Sequence, residues 1–129
     1  MRWIVDGMNV IGSRPDGWWK DRGRAMVALV ENLDRWVSGQ GVGHRDDVTV
    51  VFERPPATAI TSSVIEIAYA PRAAANSADD EIVRRVHADA HPDDISVVTS
   101  DKGLSERVVR LGASVHPAAS FRDVIDPRG

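Results

Sequence analysis

The chain has 129 residues, and its content of 43% hydrophobic and 27% charged residues is that of a folded globular protein, which excludes a largely disordered chain. It contains no cysteine, which excludes disulfide scaffolds, thiolate zinc sites and cysteine nucleophiles. The net charge of −3 gives no general attraction to nucleic acid, although all but two of the 16 basic residues are arginines, whose planar guanidinium suits phosphate.

The length and the apolar runs also set the expected class of protein. No apolar run reaches the ~18 residues that a membrane span needs, and the N-terminus lacks the pattern of a signal peptide. We therefore expect a cytoplasmic protein with no membrane partner. The chain is slightly shorter than the ~150 residues of an average domain, so we expect one domain covering residues 1–129.

Five short apolar runs, rich in β-branched residues and bounded by Gly, Pro or Asp, predict buried strands at residues 3–5, 48–52, 64–69, 95–99 and 113–115. Helical periodicity predicts helices over residues 24–36, 79–90 and 104–111, and a last short helix from Ser120, where Asp123 completes a capping box. Residues 54–63 predict a loop or a short irregular helix. This alternation indicates a single-domain α/β fold, a three-layer sandwich whose central, mostly parallel five-stranded sheet carries helices on both faces.

Acidic residues follow four of these elements. Asp6, Glu53 and Asp101 end the first, second and fourth strands, and Asp79 and Asp80 open the helix after the third. Because open parallel sheets bind ligands at the carboxyl ends of their strands, we expect these side chains at one edge. Each acid also has a structural interpretation, as a helix cap or a turn residue.

The coincidence of these acids favours a bound cation. Two like charges about 4 Å apart repel by ~4 kcal/mol at an effective dielectric constant near 20. Proteins keep such clusters where protons or a cation offset the repulsion, and an all-oxygen ligand set favours Mg²⁺ or Mn²⁺. Such an ion typically meets a phosphate, so the residues predict metal-dependent hydrolysis of a phosphodiester.

Four motifs resemble one known family. The segment Val-Asp-Gly-Met-Asn-Val-Ile-Gly at residues 5–12 resembles the signature of the NYN domains, a branch of the PIN-like nucleases. The resemblance continues at residues 51–53, 77–82 and 98–103, in the family's order and over nearly the whole chain. The YacP-like subgroup of bacterial ribonucleases is the most similar.

The resemblance implies a PIN-like fold and an Mg²⁺- or Mn²⁺-dependent endoribonuclease that cuts single-stranded RNA and leaves 5′-phosphate and 3′-hydroxyl ends. Asp6, Asp79 and Asp101 match the acidic metal-binding positions, which would hold one or two ions. Asn9 and Ser100 match the polar positions that orient ligands and the attacking water.

The resemblance leaves two acidic residues with open roles. Asp80 either shares the metal with Asp79 or only caps its helix. Glu53 stands where relatives often carry an aspartate, and its longer side chain could reach the metal.

A polyanion that approaches an acidic centre needs flanking cations. Candidates for binding RNA are Arg14, Trp18 and Lys20 after the first strand, and Arg54, Arg72 and Lys102 at the ends of three others. Of the adjacent tryptophans, Trp18 and Trp19, we expect one to be buried and the other to be free to stack on an unpaired base. The expected partner is single-stranded RNA, either messenger or ribosome-associated, and a homodimer is left open.

Alternative functions remain at this point. One is a non-catalytic PIN-like module that binds RNA or a protein, and another is a toxin-type ribonuclease of a toxin–antitoxin pair. A phosphoryl-acceptor regulatory domain is disfavoured, because the third strand ends without a carboxylate. His87 and His91 have a metal-ligand spacing on a helix, but no third ligand matches them, so we assign them no metal.

Overall fold

A computed structural model of the protein describes residues 1–41, 43, 46–72 and 76–127, so His44 lies outside the described residues. The five predicted strands are β1 (Arg2–Asp6), β2 (Asp47–Phe52), β3 (Glu66–Tyr69), β4 (Ile95–Val98) and β5 (Ser114–His116). They form one sheet in the order β3-β2-β1-β4-β5, and all neighbouring strands are parallel. The predicted α/β class and its five-stranded sheet are therefore confirmed.

The helices are α1 (Gly7–Ile11), α2 (Arg22–Ser38), α3 (Ser77–Ala88), α4 (Lys102–Arg110) and α5 (Ala118–Ile125), with short 3₁₀ turns at Trp18–Lys20 and Pro92–Asp94. The sequence did not indicate α1, because five residues are too few to show a helical period. In the part of the chain that the structure describes, no helix is both long and apolar enough to cross a membrane.

All four predicted helices begin two residues earlier than expected, at residues 22, 77, 102 and 118. Helix α2 begins earlier than residue 24, because the carboxylate of Asp21 accepts a hydrogen bond from the Arg24 N–H at 3.0 Å and so caps the helix. Helix α5 begins at Ala118, so the capping box predicted for Ser120 and Asp123 is wrong. The Asp123 carboxylate instead accepts a hydrogen bond from the Arg14 guanidinium at 2.9 Å.

The loop before β3 contains no helix. The Ser62 hydroxyl accepts hydrogen bonds from the N–H groups of Val64 and Ile65 at 3.0 and 3.1 Å, and donates one to Asp34 of α2 at 2.6 Å. This turn holds residues 64 and 65 out of the strand ladder, so β3 begins at Glu66 rather than at the predicted residue 64.

Strand β1 lies at the point where the strand order reverses. It pairs with β2 on one side and with β4 on the other. The chain adds β2 and β3 on the first side and then crosses to add β4 and β5 on the second. Asp6, the last residue of β1, lies opposite Val51 of β2. Such switch points are where open α/β sheets bind their ligands, at the carboxyl ends of the strands.

Each face of the sheet has its own apolar core. Val5, Val50 and Phe52 pack with α1, α2 and α5 on one face, whereas Ile4 and Val51 pack with α3 and α4 on the other. Because side chains alternate along a strand, Asp6 shares the face of Ile4. The sheet therefore presents Asp6 toward the two helices that carry the other candidate acids.

The junction between β1 and α1 requires glycine. An added Cβ at Gly7 would overlap with the ring of Phe52, which is itself fully buried at the end of β2. Any larger residue would push α1 away from the sheet, so this glycine keeps Asp6 and Asn9 close to the strand ends.

Candidate active site

The side chain of Asp6 is buried at the end of β1, with only 6% of the residue exposed. The hydroxyl of Thr99 donates a hydrogen bond to Oδ2 of Asp6 at 2.9 Å. The same hydroxyl oxygen accepts a hydrogen bond from the backbone N–H of Asp101 at 3.1 Å. Thr99 thus ties the carboxylate of β1 to the loop between β4 and α4.

Burial raises the pKa of Asp6 to about 7, because the low-dielectric surroundings disfavour the charged carboxylate. The negative charges of Asp79 and Asp101 raise this pKa further, whereas the hydrogen bonds from Thr99 and from the Asn9 backbone lower it. A carboxyl group with this pKa is poised between its neutral and charged forms at neutral pH.

Asp101 is the N-cap of α4. Its Oδ1 accepts a hydrogen bond from the Leu104 N–H at 2.8 Å, which confirms the capping role that the sequence offered as one interpretation. Oδ2 has no hydrogen-bond partner in the part of the chain that the structure describes, and the charge of Asp101 still acts on both Asp6 and Asp79. The residue therefore caps its helix and contributes to the acidic edge.

Asp79 lies in the first turn of α3 and is half-buried. Burial is the largest cause of its raised pKa, followed by the charge of Asp101, while the guanidinium of Arg107 on α4 opposes the shift. The charge of Asp101 thus acts on both Asp6 and Asp79, and that of Asp79 acts on Asp6, although the three residues come from elements far apart in the chain.

The ligand chemistry of this edge suits a hard divalent cation. Three carboxylates from three elements supply only oxygen donors, and their mutual repulsion is what a cation offsets. As placed, however, no three carboxylate or imidazole side chains among the described residues stand together in a ligand cluster. Binding of one ion would therefore bring these carboxylates closer together than they stand in the structure.

Asn9 and Ser100 join the loops that surround this edge. The side-chain oxygen of Asn9 accepts a hydrogen bond from the Ser100 N–H at 2.8 Å. The Ser100 hydroxyl oxygen accepts one from the N–H of Ala118 at 3.0 Å and so holds the first turn of α5. The Asn9 amide nitrogen has no acceptor among the described residues, which leaves it to donate.

Asp80 turns away from the acidic edge. It is exposed, and its Oδ1 lies 3.0 Å from the guanidinium of Arg107, to which it is paired across α3 and α4. Successive positions on a helix point about 100° apart, and Asp79 occupies the inward one. The structure thus gives Asp80 an ion pair with Arg107, and its role as a metal ligand stays a prediction.

Glu53 is half-buried at the end of β2, and its negative charge contributes to the raised pKa of Asp79. It makes no hydrogen bond or ion pair within residues 1–41, 43, 46–72 and 76–127. The carboxylate is thus available for a ligand.

Five of the predicted RNA-binding residues have accessible side chains. Arg54, Arg72 and Lys102 are exposed directly after the carboxyl ends of β2, β3 and β4. Lys20 is exposed in the 3₁₀ turn beyond α1, and Trp18 beside it is half-buried with the Arg22 guanidinium 5.4 Å from its ring centroid.

The two adjacent tryptophans lie in a 3₁₀ turn and differ in exposure, although Trp18 is half-buried rather than buried as expected. Trp19 is 53% exposed, whereas Trp18 packs against the core formed with α1 and α2. Their rings meet edge to face with centroids 5.9 Å apart. The exposed indole offers an aromatic face to a base.

Arg14, the sixth predicted RNA-binding residue, is buried rather than exposed. It is only 8% exposed, and its guanidinium pairs with Asp123 at 2.9 Å and with Asp126 at 3.0 Å. A third bond goes to the carbonyl oxygen of Asp126 at 2.6 Å. These three bonds hold α5 against the loop after α1, so the structure gives Arg14 a structural role, and its contact with RNA stays a prediction.

Two residues of this site were missed from the sequence. Thr99, which holds Asp6, carried a weak signal as the polar last residue of an apolar run. Arg107, which offsets the charges of Asp79 and Asp80, gave no signal, because its role depends on α4 lying beside α3.

A five-stranded parallel sheet covered by helices on both faces, with acidic side chains at the switch point, defines an α/β domain with a nuclease-like fold. The chain belongs to the family described as the YacP-like NYN domain, whose sequence model matches residues 3–128. No protein with a curated description matches the chain.

Two crystal structures of Rae1 (YacP) from Bacillus subtilis are similar to this chain. One, of a tryptophan-to-leucine mutant, has a TM-score of 0.69 and 23% identity, and the match covers 95% of this chain and 74% of that one. The other has a TM-score of 0.68 and 22% identity, with coverage of 96% and 73%. At these identities the likeness shows a shared fold.

Proposed function

We propose that the protein is an Mg²⁺- or Mn²⁺-dependent endoribonuclease that hydrolyses single-stranded RNA and leaves 5′-phosphate and 3′-hydroxyl ends. The observation that carries the proposal is the buried Asp6 at the switch point, whose pKa is raised by its own burial and by the charges of Asp79 and Asp101. Membership of a family with a nuclease-like fold supports the same conclusion.

Asp6, Asp79 and Asp101 would hold the cation. When bound, the ion would neutralise charge on the phosphate and lower the pKa of water. Thr99 fixes the direction of the Asp6 carboxylate by its 2.9 Å hydrogen bond, and the N-cap bond fixes that of Asp101. The ends of β1 and α4 thus hold Asp6 and Asp101, and binding of the ion would draw the carboxylates together.

Asn9 and Ser100 act on the substrate side of this edge. Asn9 donates from its free amide group to a phosphate oxygen or to the attacking water, while its oxygen remains bound to the Ser100 N–H. Ser100 is exposed, and its hydroxyl proton is free to orient water, because only its oxygen is used by Ala118.

The exposed cations would guide the RNA backbone across the acidic edge. Arg54, Arg72 and Lys102 follow the ends of three strands on the edge that carries Asp6. Lys20 and the two tryptophans lie in the 3₁₀ turn that follows α1. Phosphates would be held by the cations and an unpaired base by the exposed indole.

Cleavage of a labelled single-stranded RNA in Mn²⁺ tests the proposal. We expect the wild type to cut, Asp6→Asn to lose at least 100-fold in rate, and the products to be ligatable at their 5′-phosphates. Asp93→Asn is the matched control, because Asp93 is an exposed acid just before the amino-terminal end of β4. If Asp6→Asn cuts as fast as the wild type, or if neither cuts any of a varied panel of RNAs, the proposal fails and a non-catalytic RNA- or protein-binding module replaces it.

A further inference from the structure

A cavity opens beside the acidic edge, on the face of the sheet that carries α1 and α2. It has a volume of about 260 Å³ and lies between the start of α2 and the end of β2. Its walls are the side chains of Met8, Met26 and Phe52 together with Pro55 and Pro56. The cavity is not part of the acidic centre, but α1 connects the two, because Met8 follows Asp6 by two residues.

The size and walls of this cavity suit one flat ring system. Its volume is just below the ~300–1,000 Å³ of sites that enclose drug-sized ligands. Two methionines and a phenylalanine form the apolar lining, and thioether sulfurs make favourable contacts with aromatic rings. An unpaired nucleobase presents such a ring, and unpaired bases are what proteins read in single-stranded RNA.

Gly23 lines the cavity and leaves room for a side chain beside it. A Cβ added at Gly23 would lie 3.8 Å from Cβ of Pro56, an ordinary van der Waals distance. The position is the second residue of α2, where a side chain is sterically acceptable and favours the helix. A larger residue there would therefore occupy the cavity without overlapping with the backbone.

Charged residues at the rim add one carboxylate and two guanidinium groups to the apolar cavity. Glu53 lines it, and its carboxylate has no hydrogen-bond or ion-pair partner among the residues that the structure describes. Arg22 and Arg54 also line it and are both exposed. A carboxylate accepts hydrogen bonds only, so it selects a base edge that carries donors.

Guanine matches this edge better than the other three bases. Its Watson–Crick edge presents two adjacent donors, N1–H and the N2 amino group, to the two oxygens of one carboxylate. The Watson–Crick edges of adenine, cytosine and uracil each place an acceptor beside a single donor group. A carboxylate repels that acceptor, because it can only accept hydrogen bonds itself. The two arginines would pair with the phosphates that flank the base.

We propose that this cavity binds one unpaired guanine of the substrate, with Glu53 accepting from its Watson–Crick edge, and thereby sets the cleavage-site preference. The inference rests on the proposed function in that it takes RNA as the substrate. It assigns Glu53 to base recognition and Met8, Met26 and Phe52 to the apolar contacts of the base.

Binding of short oligonucleotides in EDTA tests the pocket separately from cleavage. Fluorescence anisotropy would compare labelled hexauridylate with the same oligonucleotide carrying one central guanine, adenine or cytosine. We expect the wild type to bind the guanine oligonucleotide at least 5-fold more tightly than the other three. Glu53→Gln should reduce this preference below 2-fold, and Gly23→Leu should remove it while the melting temperature stays within a few degrees of the wild type.

Glu31→Gln is the control for charge, because Glu31 is an exposed acid further along α2. It should keep the full preference for guanine. The proposal is overturned if the wild type binds all four oligonucleotides equally, or if Glu53→Gln retains the preference. If the enzyme cleaves RNA at random positions and shows no base preference, the guanine pocket is disproved and the nuclease proposal is not. If the protein binds guanine selectively but does not cleave RNA, the nuclease proposal is disproved and the pocket is not.

Discussion

Asp6 shows how one residue depends on contacts that no sequence pattern reveals. Its place at the end of β1 was predicted, because an apolar run stops there before a glycine. Its pKa of about 7 was not, because that value reflects complete burial opposed by a hydrogen bond from Thr99, 93 positions away in the chain. Side chains at strand ends can be read from a sequence, whereas their protonation depends on the packing around them.

The raised pKa of Asp6 predicts a pH-dependent stability. Between the unfolded pKa of ~3.9 and the folded value of about 7, the folded state holds a proton that the unfolded state has lost. The free energy of unfolding therefore falls as pH rises through this window and is level above it. Urea unfolding should show Asp6→Asn gaining roughly 2–3 kcal/mol relative to the wild type between pH 5 and pH 8. A difference that stays constant with pH would contradict the assigned pKa.

Asp101 both caps α4 and places a negative charge beside Asp6 and Asp79, and two substitutions separate these two roles. Asparagine caps as well as aspartate, so Asp101→Asn keeps the bond to Leu104 and removes a charge that acts on Asp6 and Asp79. Its melting temperature in EDTA should rise above that of the wild type, and stabilisation by added Mn²⁺ should be lost. Asp101→Ala should unfold about 1 kcal/mol more easily than Asp101→Asn. If Asp101→Asn melts at the wild-type temperature in EDTA and is still stabilised by Mn²⁺, capping alone explains the residue.

At the scale of the elements, the long periodic segments were predictable and the short ones were not. Apolar runs placed all five strands, because the strands of a parallel sheet are buried on both faces. Helix α1 and the start of α5 were missed or misplaced, since both depend on distant contacts. The first turn of α5 is held by the hydroxyl of Ser100, which lies 18 residues earlier.

The burial of Arg14 predicts a structural rather than an RNA-binding effect. Arg14→Leu removes the ion pairs to Asp123 and Asp126, whose exposed carboxylates regain water. We expect the free energy of unfolding to fall by about 1–2 kcal/mol, with the RNA affinity of the folded protein unchanged.

Lys20→Ala is the matched comparison for Arg14→Leu, because Lys20 is exposed. It should leave stability within about 0.5 kcal/mol and weaken RNA binding, with the salt dependence reduced by about 0.7 in the log–log slope. A loss of RNA affinity in folded Arg14→Leu equal to that in Lys20→Ala would restore Arg14 as an RNA contact.

Over the whole molecule, the positions of the charged residues say more about RNA binding than the net charge does. The net charge is −3, yet exposed cations follow the ends of three strands around a buried carboxylate. The sequence predicted which acids share one edge, because strand order and alternation fix that edge. It could not distinguish Asp79, which faces inward, from Asp80, which pairs with Arg107 on α4.

Paramagnetic broadening by Mn²⁺ in the amide NMR spectrum tests the shared cation site most directly. At low Mn²⁺ concentration, signals of residues 6–9, 79 and 99–102 should broaden first, because they surround the ends of β1 and β4 and the start of α3. Signals of Asp47 and Asp93, acids at the opposite ends of the strands, should remain sharp at that concentration. Asp6→Asn should abolish the selective broadening. Equal broadening at both ends of the sheet, or broadening that persists in Asp6→Asn, would contradict a cation site built around Asp6.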